Sequence, residues 1–165
     1  MAVSPVPEGY HTVNAYLIVD DAARAIDFYA RAFGARELYR LPMKDKDGRD
    51  KVGHAEIRIG DTNLMLSDEW PDMGALGPKK RGGATSSFVI YGPDCDGAFD
   101  TAVGAGATVD KPVADQFWGD RMGTVIDPFG HKWTLGTHKE DVSPEDLASR
   151  MNEWMKGQQA QANVT

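Results

Sequence analysis

Two stretches of this chain read as copies of one another. DAARAIDFYARAFGA at Asp21–Ala35 resembles PDCDGAFDTAVGAGA at Pro93–Ala107, at a spacing of roughly 70 residues. Each opens on an aspartate that can cap a helix, Asp20 or Asp21 in one and Asp94 in the other. Each then carries apolar residues at helical spacing: Ile26, Tyr29, Ala30 and Phe33, then Ala98, Phe99, Ala102 and Val103. Each stops at glycine, Gly34 in one, Gly104 and Gly106 in the other. Duplication of a unit of structure is the economical reading, against chance likeness of two Ala-rich helices, and it expects the flanking segments to correspond as well.

They do. Tyr10–Val19 is rich in β-branched and aromatic residues and reads as a strand, with Val13, Ala15 and Leu17 on one face and Thr12, Asn14, Tyr16 and Ile18 on the other. After the first helix, Arg36–Leu41 reads as a strand ended by Pro42, and Asp47-Gly48 marks a hairpin turn into Lys51–Ile59. Thr62–Ser67 is the fourth strand. The second half repeats the order with Thr85–Tyr91, a helix, Ala107–Val113, Asp120–Ile126 and His131–Thr137. The last two strands flank a tight turn at Asp127-Pro128-Phe129-Gly130, in which Pro sets φ and Gly tolerates a positive one. The chain therefore reads β-α-β-β-β twice, with a Gly- and Pro-bearing linker at 68–83. Ser143-Pro144-Glu145-Asp146 opens a terminal helix whose Leu147, Met151, Trp154 and Met155 need a partner surface, before a frayed end from Gln158.

Composition limits the function classes. A net charge of −7 with pI near 5.0 repels a phosphate backbone, so nucleic acid is not an expected partner, and Lys79-Lys80-Arg81 is too short to reverse that. No run approaches the ~20 apolar residues of a membrane span. No secretory signal is visible, and Cys95 is the single cysteine, so a cytoplasmic location is the expectation. Cys95 follows an acidic helix cap and is expected to be inert; His11, His131 and His138 fall near strand ends and turns, where surface histidines are common.

The phrases AIDFYARAFGARE, GHAEIRIGDTNLMLSDE, WGDRMGTVIDPFGHKW and the following THKEDVSPED resemble the vicinal oxygen chelate superfamily, and within it the PhnB-like, glyoxalase/bleomycin-resistance-type branch. The resemblance implies an α+β fold in which paired β-α-β-β-β modules form a curled, cup-shaped mixed sheet, with a C-terminal helix added. The modules would span 9–67 and 84–138, with the helix at 143–156. It also implies a small organic ligand in the cup and a homodimer. Metal-using members place His or Glu at four inward positions, which fall here at Asn14, Met65, Ser87 and Thr134. A thioether and neutral hydroxyls suit a hard divalent cation poorly, so no metal cofactor is expected at that site.

Two constellations remain. His54 and Glu56 share a strand face, where a carboxylate can orient an imidazole as a general base; the plainer reading is a polar pair on the cup wall or at a dimer seam. A metal held by His54, Glu56 and a further His has no spacing support. Trp118 and Arg121 flank Asp120 before the hairpin, Trp offering a stacking face and Arg a clamp for an anion; the plainer reading pairs Arg121 with Asp120 and lets Trp118 plug the sheet edge. With Asn14 and Tyr16, these residues make up the expected ligand-binding set. The leading functional expectation is a metal-free cup that sequesters a small molecule. The alternatives are a lyase or isomerase using His54 and Glu56 or an atypical metal, and a dimeric interaction module without a small ligand.

Overall fold

The computed structural model describes residues 3–162. Strand β1 is Tyr16–Val19, helix α1 is Ala22–Phe33, and β2 (Arg36–Lys44), β3 (Asp50–Ile59) and β4 (Thr62–Asp68) follow. A 3-10 turn at Pro71–Met73 and a one-turn helix α2 at Pro78–Arg81 occupy the linker. The second half contains β5 (Ser87–Tyr91), α3 (Cys95–Ala105), β6 (Thr108–Asp115), β7 (Asp120–Ile126) and β8 (Lys132–His138), and α4 is Pro144–Ala162. The strands make two separate four-stranded sheets, ordered β1-β4-β3-β2 and β5-β8-β7-β6. In each, the first strand runs parallel to the last and the other neighbours are antiparallel. The duplication read in the sequence is thus a duplication of topology.

The helices form because their caps and stripes agree. The Asp21 carboxylate accepts from the Arg24 amide and the Asp94 carboxylate from the Gly97 amide, each at 3.0 Å. Helix α1 buries Ala22, Ala25, Ile26, Phe28, Tyr29 and Ala32. It also reaches across to the second sheet: the Tyr29 and Phe33 rings lie 5.4 and 4.8 Å from Trp133 of β8. Close approach of α3 to β7 requires Gly123, where a Cβ would collide with Phe99 and Val113. Helices α1 and α3 pack on one another, so both modules share one core.

A buried carboxylate organises that core. One oxygen of Asp127 accepts from the Tyr29 hydroxyl at 2.8 Å and the Trp133 indole at 2.9 Å. The other accepts from the backbone amides of Phe129 and His131 at 2.8 and 2.9 Å, which shapes the β7–β8 turn. His131 Nε2 then meets the Ile18 carbonyl of β1 at 3.1 Å, tying the turn of the second module to the first strand of the first.

Several boundaries differ from expectation. The first strand begins at Tyr16, because the Asn14 side chain bonds both the amide and the carbonyl of His11 and closes a turn there; Val13 is consequently exposed. Strand β2 runs through Pro42 to Lys44. Pro42 is tolerated because β2 is an edge strand and the register shifts between Leu41 and Pro42. The linker is ordered by Glu69, which accepts from the Gly77 amide at 2.9 Å and pairs with Lys80 at 2.6 Å; Lys79 pairs with Asp20. Helix α4 continues past Gln158 to Ala162, opened by the expected Ser143–Asp146 box, and the remainder of the expected frayed end, 163–165, lies outside the described residues. Met151, Trp154 and Met155 on α4 are exposed, with Trp154 resting 5.7 Å from Phe117. No helix among the described residues is long and apolar enough to cross a membrane.

Asp127→Ala strands two side-chain donors in the core and releases the turn. Each buried donor left without a partner costs about 1–3 kcal/mol, so a loss of about 3 kcal/mol or more is expected in chemical denaturation.

Candidate functional site

On β3, Ala55, Ile57 and Ile59 are buried under α1, while His54, Glu56 and Arg58 lie on the face turned away from it. Register carries neighbours onto that open face: Tyr39 sits opposite Glu56 on one side and Met65 on the other, and Met65 pairs with Tyr16. The result is a connected polar cluster. The Tyr16 hydroxyl lies 3.0 Å from His54 Nδ1, His54 Nε2 lies 3.6 Å from a Glu56 oxygen, and Tyr39 donates to that same oxygen at 2.6 Å. Burial would raise the Glu56 carboxyl, but the Tyr10 and Tyr39 hydroxyls and His54 outweigh it and hold it below the usual carboxylate range.

Tyr10 and Tyr39 were not among the expected residues. The signal for Tyr39 was its place opposite Glu56, which is legible only once the β2–β3 register is known. Tyr10 arrives from the lead-in, which folds back so that Gly9 rests against Asn63 of β4. The Tyr10 hydroxyl is buried and makes no hydrogen bond of good geometry among the described residues. Burial, and then the Glu56 carboxylate beside it, push it well above the ordinary phenol value.

The remaining expected residues separate. Asn14 is committed to the His11 turn. Trp118 belongs to a second cluster, on the open face of the other sheet. There the buried Asp120 carboxylate accepts from the Tyr91 hydroxyl at 2.8 Å and the Trp118 indole at 3.1 Å, and lies 2.7 Å from His138 Nδ1. Arg121 points to the opposite face, because alternate residues of β7 alternate sides. It clamps Asp96 of α3 through two nitrogens at 2.7 and 2.8 Å and Asp115 at 3.1 Å, rather than pairing with Asp120. Cys95 is buried with its thiol 3.2 Å from the Leu135 carbonyl, and burial raises its pKa.

The four positions at which the superfamily places metal ligands do not fit one. The Asn14 amide is spent on backbone, Thr134 pairs with Thr124 at 2.9 Å, and Met65 and Ser87 add a thioether and a hydroxyl. Among the described residues, no three His, Cys, Asp or Glu side chains converge as a ligand set. Two clefts flank the sheets. One of about 740 Å³ lies between the β2–β3 turn and the linker, but its cations are already matched: Lys46 to Asp72, Arg49 to Asp45, Lys51 to Asp68 and Lys80 to Glu69. The other, of about 410 Å³, is bordered by Tyr16, Ile18, Arg81 and His131, and so adjoins the Tyr16 cluster.

Two outcomes follow from this geometry. Arg121→Ala removes a clamp between α3 and β7, so it is expected to lower the melting temperature while leaving the affinity of any ligand on the first sheet unchanged; calorimetry and titration on one sample check both. The Asp120–His138 contact predicts a pH window. Hydrogen bonds to Asp120 and then Asp141 raise His138, so its stabilisation is complete below the ordinary histidine value and is lost as pH rises through the raised folded value. Burial pushes Asp120 up, but His138, Tyr91 and Trp118 together hold it low, so its share is lost only as pH falls through the depressed folded value. Melting temperature should therefore decline on the alkaline side, and His138→Gln should remove that decline.

Comparison with known proteins agrees with the topology. The Glyoxalase/Bleomycin resistance protein/Dioxygenase superfamily profile matches residues 10–135. An uncharacterised protein of Mycobacterium bovis is 40% identical over 155 residues, covering 92% of this chain and 97% of its own length. Among solved structures, TioX from a Micromonospora species superposes with a TM-score of 0.57 at 28% identity, over 76% of this chain and 98% of its own. The PhnB protein of Bacillus cereus does so at 0.56 and 18%, over 77% and 99%, which is a likeness of fold. With two β-α-β-β-β modules and a profile match over most of its length, the chain belongs to the Glyoxalase/Bleomycin resistance protein/Dioxygenase superfamily.

Proposed function

We propose that this protein binds a small organic molecule on the open face of its first sheet without a metal, and so acts by sequestration. The observation that carries this reading is the Tyr10, Tyr16, Tyr39, His54 and Glu56 cluster. Its polar side chains stand on a strand face that the core does not need, and they are ordered by one another rather than by the packing beneath. Aromatic rings that end in hydroxyls give contact area and directed hydrogen bonds together. Tyr16 and Tyr39 are 44% and 43% exposed, so two of these rings remain open to a ligand.

We also propose that the molecule works as a homodimer. Leu41 and Met43 on β2, and Val89 and Tyr91 on β5, are at least half exposed, which leaves apolar side chains on both sheets for a second copy to cover. With a charge of −7, a single buried cysteine, and a basic run at Lys79–Arg81 whose lysines are paired with Asp20 and Glu69, neither nucleic acid nor a membrane surface is the proposed partner, and the cytoplasm is the proposed location.

One contact favours a second reading, proton-transfer catalysis of the lyase or isomerase kind. With Nε2 turned to Glu56, His54 Nδ1 can take the proton of Tyr16, whose hydroxyl it meets at 3.0 Å. Tyr16 would be the group touching substrate and Glu56 the one that orients the imidazole.

Native mass spectrometry of protein purified without chelator tests the set. The expected spectrum is a dimer carrying a non-covalent organic adduct and no stoichiometric metal, with the adduct lost in Tyr16→Ala. About one tightly held Zn, Ni, Mn or Fe per chain would overturn the metal-free reading, and a monomer at micromolar concentration the dimer. Turnover of the released adduct would select the catalytic reading.

A further inference from the structure

The proposed ligand face has an unbalanced set of hydrogen-bonding atoms, and the imbalance has a sign. At Glu56 the well-formed hydrogen bond falls on one oxygen, Oε1, which takes Tyr39 and faces His54, and the Tyr10 hydroxyl is the one further donor beside the carboxylate among the described residues. Two residues along β4 from Met65, which pairs with Glu56, stands Asn63. Its side chain is 5% exposed, and its Oδ1 has no partner among the described residues. A buried acceptor left unmet is uncommon and costs about 1–3 kcal/mol. The buried Tyr10 hydroxyl, next in the chain to Gly9, which packs on Asn63, lies beside Glu56 and offers one donor against these acceptors. The surplus is therefore on the accepting side, around a carboxylate.

Protein cations do not correct it. Arg58 shares the face but donates through Nε to the Gly60 carbonyl. Arg40 is held by Glu37, and Lys51 lies 3.6 Å from Asp68. Arg81, on the cleft that Tyr16 borders, donates to the Gly74 carbonyl. His54 is the sole basic side chain within 4.0 Å of Glu56 among the described residues. Aromatic faces complete the setting: the Tyr16 and Tyr39 rings stand 5.6 and 5.8 Å from the His54 ring.

We infer that the ligand class of this face is an organic ammonium, a protonated amine borne on an apolar or planar body. This inference rests on the reading of the first sheet as the binding face. The N–H groups of an ammonium fill the remaining lone pairs of the Glu56 carboxylate, and its positive charge is attracted by the tyrosine faces. A quaternary cation satisfies the rings but brings no N–H to the carboxylate. An anion meets Glu56 with the same sign and gains nothing from an acceptor. The net charge of −7 also favours the approach of cations.

Three probes of one shape separate these cases: benzylammonium, benzyl alcohol and phenylacetate, titrated at neutral pH and low salt into the unmodified, isotopically labelled chain and followed by amide shifts. Benzylammonium is expected to shift Tyr16, Tyr39, Glu56 and Asn63 and to bind about ten-fold or more tighter than benzyl alcohol, with phenylacetate weakest. In Glu56→Gln the preference for benzylammonium should shrink to about two-fold or less. Equal or tighter binding of the alcohol or the carboxylate at those amides overturns the ammonium assignment and leaves the binding face standing. Absence of shifts at those amides with all three probes overturns the binding face and the assignment together. The comparison on the unmodified chain decides the matter even if Glu56→Gln fails to fold.

Discussion

The fold depends on one buried carboxylate. Asp127 is a turn residue by sequence, yet its side chain reaches inward and gathers Tyr29 of α1, Trp133 of β8 and two amides of its own turn. A carboxylate in an apolar core is costly unless its lone pairs are occupied, and here they are occupied from two modules at once. That makes the interaction directional in a way that hydrophobic packing is not. It fixes how α1 lies against the second sheet, and His131 extends the tie to the Ile18 carbonyl. The two halves of a duplicated chain could pack in more than one way; this network selects one.

Because the helix-facing sides of both sheets are consumed by the shared core, chemistry is left to the opposite sides. Each of those carries a carboxylate, an imidazole and a tyrosine, but the two clusters are built differently. Asp120 is buried at a strand end and is bonded by three neighbours, and His138 is shared with Asp141, so the cluster acts as a latch near the entry to α4. Gly119 belongs to the same latch: its carbonyl accepts from the Lys139 and Glu140 amides, and its φ of +96° suits only glycine well. Glu56 lies mid-strand with half-exposed tyrosines as neighbours and one unmatched acceptor, Asn63 Oδ1, on the next strand. The two clusters differ in saturation, not in residue type.

A superfamily named for metal chemistry here shows a donor set that chelates poorly. Asn14 has been drawn out of the strand by its own side chain, and Met65, Ser87 and Thr134 offer soft or neutral donors. The polar residues that the face does possess sit on β1, β2, β3 and the lead-in, with Tyr16 and Glu56 on either side of Met65 in register.

The sequence by itself determined the repeated β-α-β-β-β order, because capping aspartates, helical stripes and two-residue alternation are local signals that survive without tertiary context. It also placed His54 and Glu56 on one face with Tyr16, since strand alternation is a property of the backbone. Tertiary structure decided what local patterns cannot carry. Tyr39 and Tyr10 join the cluster through strand register and through a lead-in that folds back over β4. Arg121 leaves the expected site because the side of the sheet it faces offers Asp115 of the neighbouring strand and Asp96 of α3, the latter brought there only by the packing of the helix on the sheet. The first strand begins only at Tyr16 because an Asn side chain can outbid a sheet for a backbone amide, and nothing in hydrophobic periodicity registers that competition.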